Sequence, residues 1–123
     1  MKNKTFDFEK VFIIAELSAN HNGNLDIAIK TVRAAKRAGA DAIKLQTYTA
    51  DTLTIDSKKN DFTFNNGSIW DGKNFYDLYQ EAHTPWEWHS QLFEVAKEEG
   101  LVCFSSPFDK TAVDFLEELD APC

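Results

Sequence analysis

The sequence is short of cysteine, of positive charge and of long apolar runs, and each shortage removes a class of function. Its two cysteines make no disulfide framework, since Cys103 lies in an apolar run and Cys123 is the last residue. Lys and Arg number 13 against 20 Asp and Glu, a formal net charge of -7, so no nucleic-acid partner is expected. That balance serves solubility and still permits a small anion held by one or two local lysines. No apolar run approaches the roughly 20 residues of a membrane span. The opening "MKNKTFDFEK" also lacks an apolar leader core, so a cytoplasmic protein with no membrane partner is expected. A Gly-rich phosphate loop is missing too: "HNGN" is not a G-x-G-x-x-G, which lowers the dinucleotide-binding reading.

What remains is an ordinary globular composition, 43% hydrophobic and 27% charged over 123 residues, enough for one modest core. "VFIIAEL", residues 11–17, is rich in β-branched and aromatic side chains and predicts a strand. The next segment places Leu25, Ala28, Ile29, Val32 and Ala35 at helical spacing, with Asn24 as N-cap and Gly39 as the C′ stop. "DAIKLQTY" predicts a second strand. "TPWEWHSQLFEVAKEEG" then predicts a helix opened by a capping box from Thr84 to Glu87, with Pro85 at the first helical position. "LVCFSS" predicts a third strand. A last helix is capped by Asp109 and carries Val113, Leu116 and Leu119 at helical spacing. A weak internal echo, "AAKRAG" against "VAKEEG", precedes the second and third strands.

Strands alternating with helices imply parallel pairing under a helical layer, as in an open doubly wound sheet or a (β/α)₈ barrel. Residues 47–83 interrupt the rhythm with a long polar and aromatic insertion, turning at Asn66-Gly67 and Asp71-Gly72. Its aromatics, among them Phe62, Phe64, Trp70, Phe75, Tyr76 and Tyr79, predict an ordered lid, and "KNFYDLYQEA" a short helix. Three strands close no barrel, so the chain is expected to be a fragment with an open sheet edge.

Ligands of parallel α/β folds bind at the carboxyl ends of the strands. Those ends carry Glu16, Ser18, Asn20 and His21, then Lys44, Gln46 and Thr47, then Ser105 and Ser106. Alternation puts Lys44 and Gln46 on one side of their strand, facing a barrel interior together. Each residue also has a structural reading. Glu16 and Lys44 suit a plain ion pair, His21 a helix-capping loop histidine, Ser105 and Ser106 the turn into Pro107, and Trp86 and Trp88 the core. A lysine inside a barrel also fits a Schiff-base aldolase, which borohydride trapping would reveal.

"IIAELSANHNGNLDIAIKTVRAAKRAGADAIKLQTY" followed by "CFSSPF" resembles the N-terminal part of the sialic acid synthases. Three ordered motifs carry the likeness: A-E-x-[GS]-x-N-H-x-G, K-x-Q-T and S-[ST]-P-F. "SIWDG", "FYDLYQEA" and "TPWEWH" are most similar to the pseudaminic acid synthase branch. The resemblance implies that residues 1–123 are about the first three units of a (β/α)₈ TIM barrel. It implies condensation of phosphoenolpyruvate with a 2,4-diacetamido-2,4,6-trideoxy altrose, or with the N-acetylneuraminic or legionaminic acid precursor, releasing phosphate.

By position it assigns phosphoenolpyruvate binding to Lys44, Gln46 and Ser106 and catalysis to Glu16. Asn20, His21 and Ser105 become candidates for lining the site or meeting the sugar. It further implies a divalent Mn²⁺ or Mg²⁺ as Lewis acid, held by histidines that this chain does not carry, and a homodimer at full length. The fragment alone is expected to be inactive.

Overall fold

The computed structural model describes residues 10–122. The start of the opening segment and Cys123, both used in the sequence reading, lie outside the described residues. Three parallel strands, β1 (Ile14–Ser18), β2 (Ala42–Thr47) and β3 (Val102–Pro107), pair in the order β1-β2-β3. Between β1 and β2 runs α1 (Leu25–Arg37). Between β2 and β3 come α2 (Ala50–Leu53), α3 (Phe75–Ala82) and α4 (His89–Glu98), with short 3₁₀ turns at Asn60–Phe62 and Trp86–Trp88. α5 (Lys110–Glu118) follows β3. This is the opening part of a (β/α)₈ barrel, as expected.

The core lies on one face of the sheet, where Leu17, Ile43, Leu45 and Cys103 meet Ala28 and Val32 of α1 and Leu92 and Ala96 of α4. Burial there pushes the Cys103 thiol up to about 12, which makes it an inert apolar group. Strand residues alternate across the sheet, so the opposite face carries Glu16, Lys44, Gln46 and Ser106, all partly open to solvent.

Local signals set most element ends. The Asn24 side chain accepts the Ile27 N–H at 3.1 Å, and Asp109 caps α5 through the N–H groups of Thr111 and Ala112. The sequence echo is one stop signal used twice. Gly39 (φ 94°) and Gly100 (φ 71°) take the left-handed conformation, and the next N–H turns back to Ala35 and Ala96 respectively. Each helix is thereby released straight into a strand.

Three expectations are corrected. The first strand begins at Ile14 rather than Val11, and Val11, Phe12 and Ile13 are exposed; Ile13 is held instead by the Asp41 carboxylate and by the N–H groups of Asp41 and Ala42. Val113 is 40% exposed, because α5 turns Ala112 and Leu116 inward. No capping box forms at Thr84: Pro85 stays extended, a 3₁₀ turn follows and α4 starts at His89. The Thr84 hydroxyl bonds to His21 Nε2 at 3.0 Å and to the Ser18 carbonyl at 3.4 Å. A tertiary partner has taken the group that a cap would use.

The segment after β2 is ordered from within. The Asp71 carboxylate accepts the N–H groups of Asn66, Gly67 and Ser68 at 3.0–3.2 Å, closing the turn at Asn66-Gly67. Phe64 packs edge-on against Phe75 at 4.6 Å, and the Tyr76 hydroxyl donates to Asp51 at 3.1 Å, tying α3 to α2.

Candidate active site

The candidate residues gather where the strands end. Glu16 and Lys44 are register partners on β1 and β2, and Lys44 Nζ lies 2.8 Å from Glu16 Oε1. Lys44 is 26% and Glu16 55% exposed at the side chain, so this is an open charge pair. Such a pair is worth about 1 kcal/mol or less to stability. One step further along, Gln46 is register partner to Ser106. Neither side chain makes a hydrogen bond among the described residues, which leaves an amide and a hydroxyl free for a ligand.

Gln46 also lines a cavity of about 540 Å³ beneath α3, together with Asn20, Asn22, Tyr48, Trp70 and Tyr79. Its lining combines amides with aromatic rings, a composition suited to a small polar ligand with apolar edges. The aromatic insertion thus contributes Trp70 and Tyr79 to the lining. Tyr48 and Asn22 were not singled out from sequence; an aromatic ending a strand and the Asn22-Gly23 pair, where Asn22 turns left-handed (φ 52°), were the available signals. Ser18 is left-handed as well (φ 55°), at a break in the β1–β2 register after Glu16. That kink turns the chain away from the sheet toward the cavity.

Two candidates stand elsewhere. Ser105 is buried on the helix-covered face, its Oγ 2.6 Å from Thr47 Oγ1, and the alternation that brings Ser106 to the open face turns Ser105 away. His21 is fully buried. Its Nδ1 accepts the Gly23 N–H at 3.2 Å, so Nε2 carries the proton and donates to Thr84, while the ring meets Trp88 edge-on at 5.2 Å. His21 holds the loop between β1 and α1, close to its structural reading.

His89, also fully buried, answers from the other side. Nδ1 donates to the Pro85 carbonyl at 3.3 Å and Nε2 accepts the Thr47 hydroxyl at 2.9 Å. Burial pushes the pKa of both rings below 6.5; for His21 the neighbouring His83 adds to the effect. Their neutral forms are therefore built into the fold. Between the unfolded value of 6.5 and the lower folded values, the unfolded chain binds protons that the folded chain refuses. Stability is complete above about pH 7 and falls below 6.5, by at most about 1.4 kcal/mol per pH unit for each ring. Thermal unfolding followed by circular dichroism is expected to show a flat midpoint from about pH 8 to 7 and a decline toward pH 5. A His89→Gln variant should decline less steeply.

No group of three or more His, Cys, Asp or Glu side chains among the described residues is placed to hold a metal ion. Both ring nitrogens of His21 and His89 are already engaged. These residues do not fit a divalent cation. No helix among them is long and apolar enough to cross a membrane.

A profile of the NeuB family matches residues 31–123, more than half of the sequence. The chain belongs to the NeuB family. It is 60% identical to a pseudaminic acid synthase of Campylobacter jejuni over 112 residues, 91% of this chain and 32% of that protein. The pseudaminic acid synthase of Helicobacter pylori is 50% identical over 110 residues, 89% of this chain and 32% of its own length. Among solved structures, an N-acetylneuraminic acid (sialic acid) synthetase from Leptospira borgpetersenii in complex with citrate superposes with a TM-score of 0.70 at 28% identity. That match covers 89% of this chain and 33% of the synthetase. The chain thus spans about a third of the length of the relatives it matches.

Proposed function

We propose that this region forms the phosphoenolpyruvate-binding part of a pseudaminic acid synthase and acts within the full-length NeuB-family protein. The observation that carries the reading is the face shared by Glu16, Lys44, Gln46 and Ser106, with a 2.8 Å charge pair beside an amide and a hydroxyl that have no partner among the described residues. The identity to pseudaminic acid synthases supports the choice of sugar class.

On this reading Lys44 meets the anionic end of phosphoenolpyruvate as a point charge, with Gln46 and Ser106 donating hydrogen bonds. The anion displaces the Glu16 carboxylate from Lys44. Glu16 then turns to the sugar, which it orients and with which it exchanges a proton. Carbon 3 of phosphoenolpyruvate forms the new bond to the open-chain aldehyde. Water adds at carbon 2, and the carbon–oxygen bond to phosphate breaks, releasing inorganic phosphate. The cavity lined by Asn20, Trp70 and Tyr79 takes the sugar. The family's divalent metal is held by the remainder of the full-length protein, a cytoplasmic homodimer.

The test supplies full-length protein with phosphoenolpyruvate labelled by oxygen-18 at the bridging position and with the 2,4-diacetamido-2,4,6-trideoxy altrose. Labelled phosphate and a nine-carbon keto acid in equal amounts are expected. Turnover of N-acetylmannosamine in its place would overturn the sugar assignment, and unlabelled phosphate the carbon–oxygen cleavage.

A further inference from the structure

Behind the open face, on the helix side of the sheet, lies a buried chain of hydroxyl and imidazole groups. With His89 Nδ1–H committed to the Pro85 carbonyl, its order follows: Ser105 Oγ–H donates to Thr47 Oγ1 (2.6 Å) and Thr47 Oγ1–H donates to His89 Nε2 (2.9 Å). Every member is satisfied, and no buried side-chain polar atom among the described residues lacks a partner. Thr47 and Ser105 are chain neighbours of Gln46 and Ser106, the register pair that faces the ligand side. A short bond on the back of the sheet therefore fixes the spacing of the two ligand-facing positions on its front.

The segment that anchors this bond reaches the other strand ends as well. The Trp86 indole N–H donates to the Tyr48 carbonyl at 3.3 Å, just past β2, and Thr84 donates to the Ser18 carbonyl at the end of β1. Residues 84–89 thus tie down the ends of β1 and β2 directly, and β3 through the Thr47–Ser105 bond. That work explains why Thr84 forgoes its cap and why α4 starts late.

We infer that Thr47 and His89 are positioning residues: acting through the Ser105–Thr47–His89 chain, they hold Gln46 and Ser106 in the geometry that binds the anionic substrate. The inference rests on the proposed assignment of phosphoenolpyruvate to that face. It assigns a functional reason to two groups that touch no substrate.

The test uses full-length protein and four variants. Thr47→Val keeps the β-branched shape and deletes the hydroxyl, whereas Thr47→Ser keeps the hydroxyl. His89→Phe deletes the acceptor, and His89→Gln supplies another. Thr47→Val and His89→Phe are expected to raise KM for phosphoenolpyruvate about tenfold, the scale of small misplacements at a binding site, with KM for the sugar changed less than about twofold. Thr47→Ser and His89→Gln should return it toward the parent value.

A lower melting temperature with KM for phosphoenolpyruvate unchanged would show the chain to be structural only and overturn the inference. Equal rises in both KM values would overturn it too. Lys44→Ala serves as the control on the underlying reading. If that variant leaves phosphoenolpyruvate affinity untouched, the substrate assignment has failed, and amide hydrogen exchange then decides. Faster exchange at Gln46 and Ser106 in Thr47→Val but not in Thr47→Ser upholds the positioning role, and equal protection in both rejects it.

Discussion

Lys44→Ala in the full-length protein is expected to raise the Kd for phosphoenolpyruvate about thirtyfold, the loss of roughly 2 kcal/mol that accompanies removal of a charge-assisted hydrogen bond. Affinity for the sugar should change less than about twofold, because the anion is the group that Lys44 meets. Stability should barely move. The Glu16–Lys44 pair is more than half exposed on the Glu16 side and a quarter exposed on the Lys44 side, so its breakage costs about 1 kcal/mol or less. That imbalance separates the two readings of the lysine. A purely structural ion pair loses a little stability and no affinity, whereas a ligand-binding lysine loses affinity and almost no stability. Titration calorimetry with phosphoenolpyruvate, beside a thermal melt, measures both. Equal affinity in parent and variant would remove Lys44 from the site.

Glu16→Gln is expected to lower kcat about a hundredfold or more, the ordinary worth of a positioned acid–base group. The amide matches the carboxylate in shape, keeps an acceptor oxygen toward Lys44 and loses both the charge and the proton chemistry. KM for phosphoenolpyruvate should shift little, since Lys44, Gln46 and Ser106 remain. The split between kcat and KM is what matters: an interaction made in the transition state lowers kcat, and a uniform binding contact raises KM alone. Steady-state rates with each substrate saturating in turn resolve it. Unchanged turnover would return Glu16 to the role of a strand residue that neutralises Lys44.

The two substitutions probe different halves of one geometric fact. Parallel pairing of β1 with β2 sets Glu16 opposite Lys44, and parallel pairing of β2 with β3 sets Gln46 opposite Ser106. Four polar groups from three strands therefore share one patch without any loop to place them. Sites carried on strands are held to tighter tolerances than sites on loops. The buried Ser105–Thr47–His89 chain adds a brace on the reverse side, where water is excluded and a hydrogen bond is worth more.

Much of this was legible in the sequence. The alternation of strand and helix signals predicts a parallel sheet, and the period-two pattern in "KLQT" puts Lys44 and Gln46 on one side. Asn24, Asp109, Gly39 and Gly100 act where they stand, because caps and left-handed stops involve groups only a few residues apart. The polar residues at the strand ends stood out because an apolar strand bearing a carboxylate or an ammonium is costly unless the charge is paired or put to use.

The tertiary structure decided the rest, through partners far apart in the chain. Thr84 reads as a helix cap until His21, 63 residues away, takes its hydroxyl. Nothing near His89 in the sequence points to Thr47, 42 residues away, which bonds its ring. Alternation says that Ser105 and Ser106 face opposite ways; only the pairing of β3 with β2 says which of them meets the ligand side. Local rules fix what a few neighbouring residues can do with their own backbone groups. Which buried donor meets which acceptor across the core is settled when three strand ends and residues 84–89 pack together and no buried side-chain polar atom among the described residues is left without a partner.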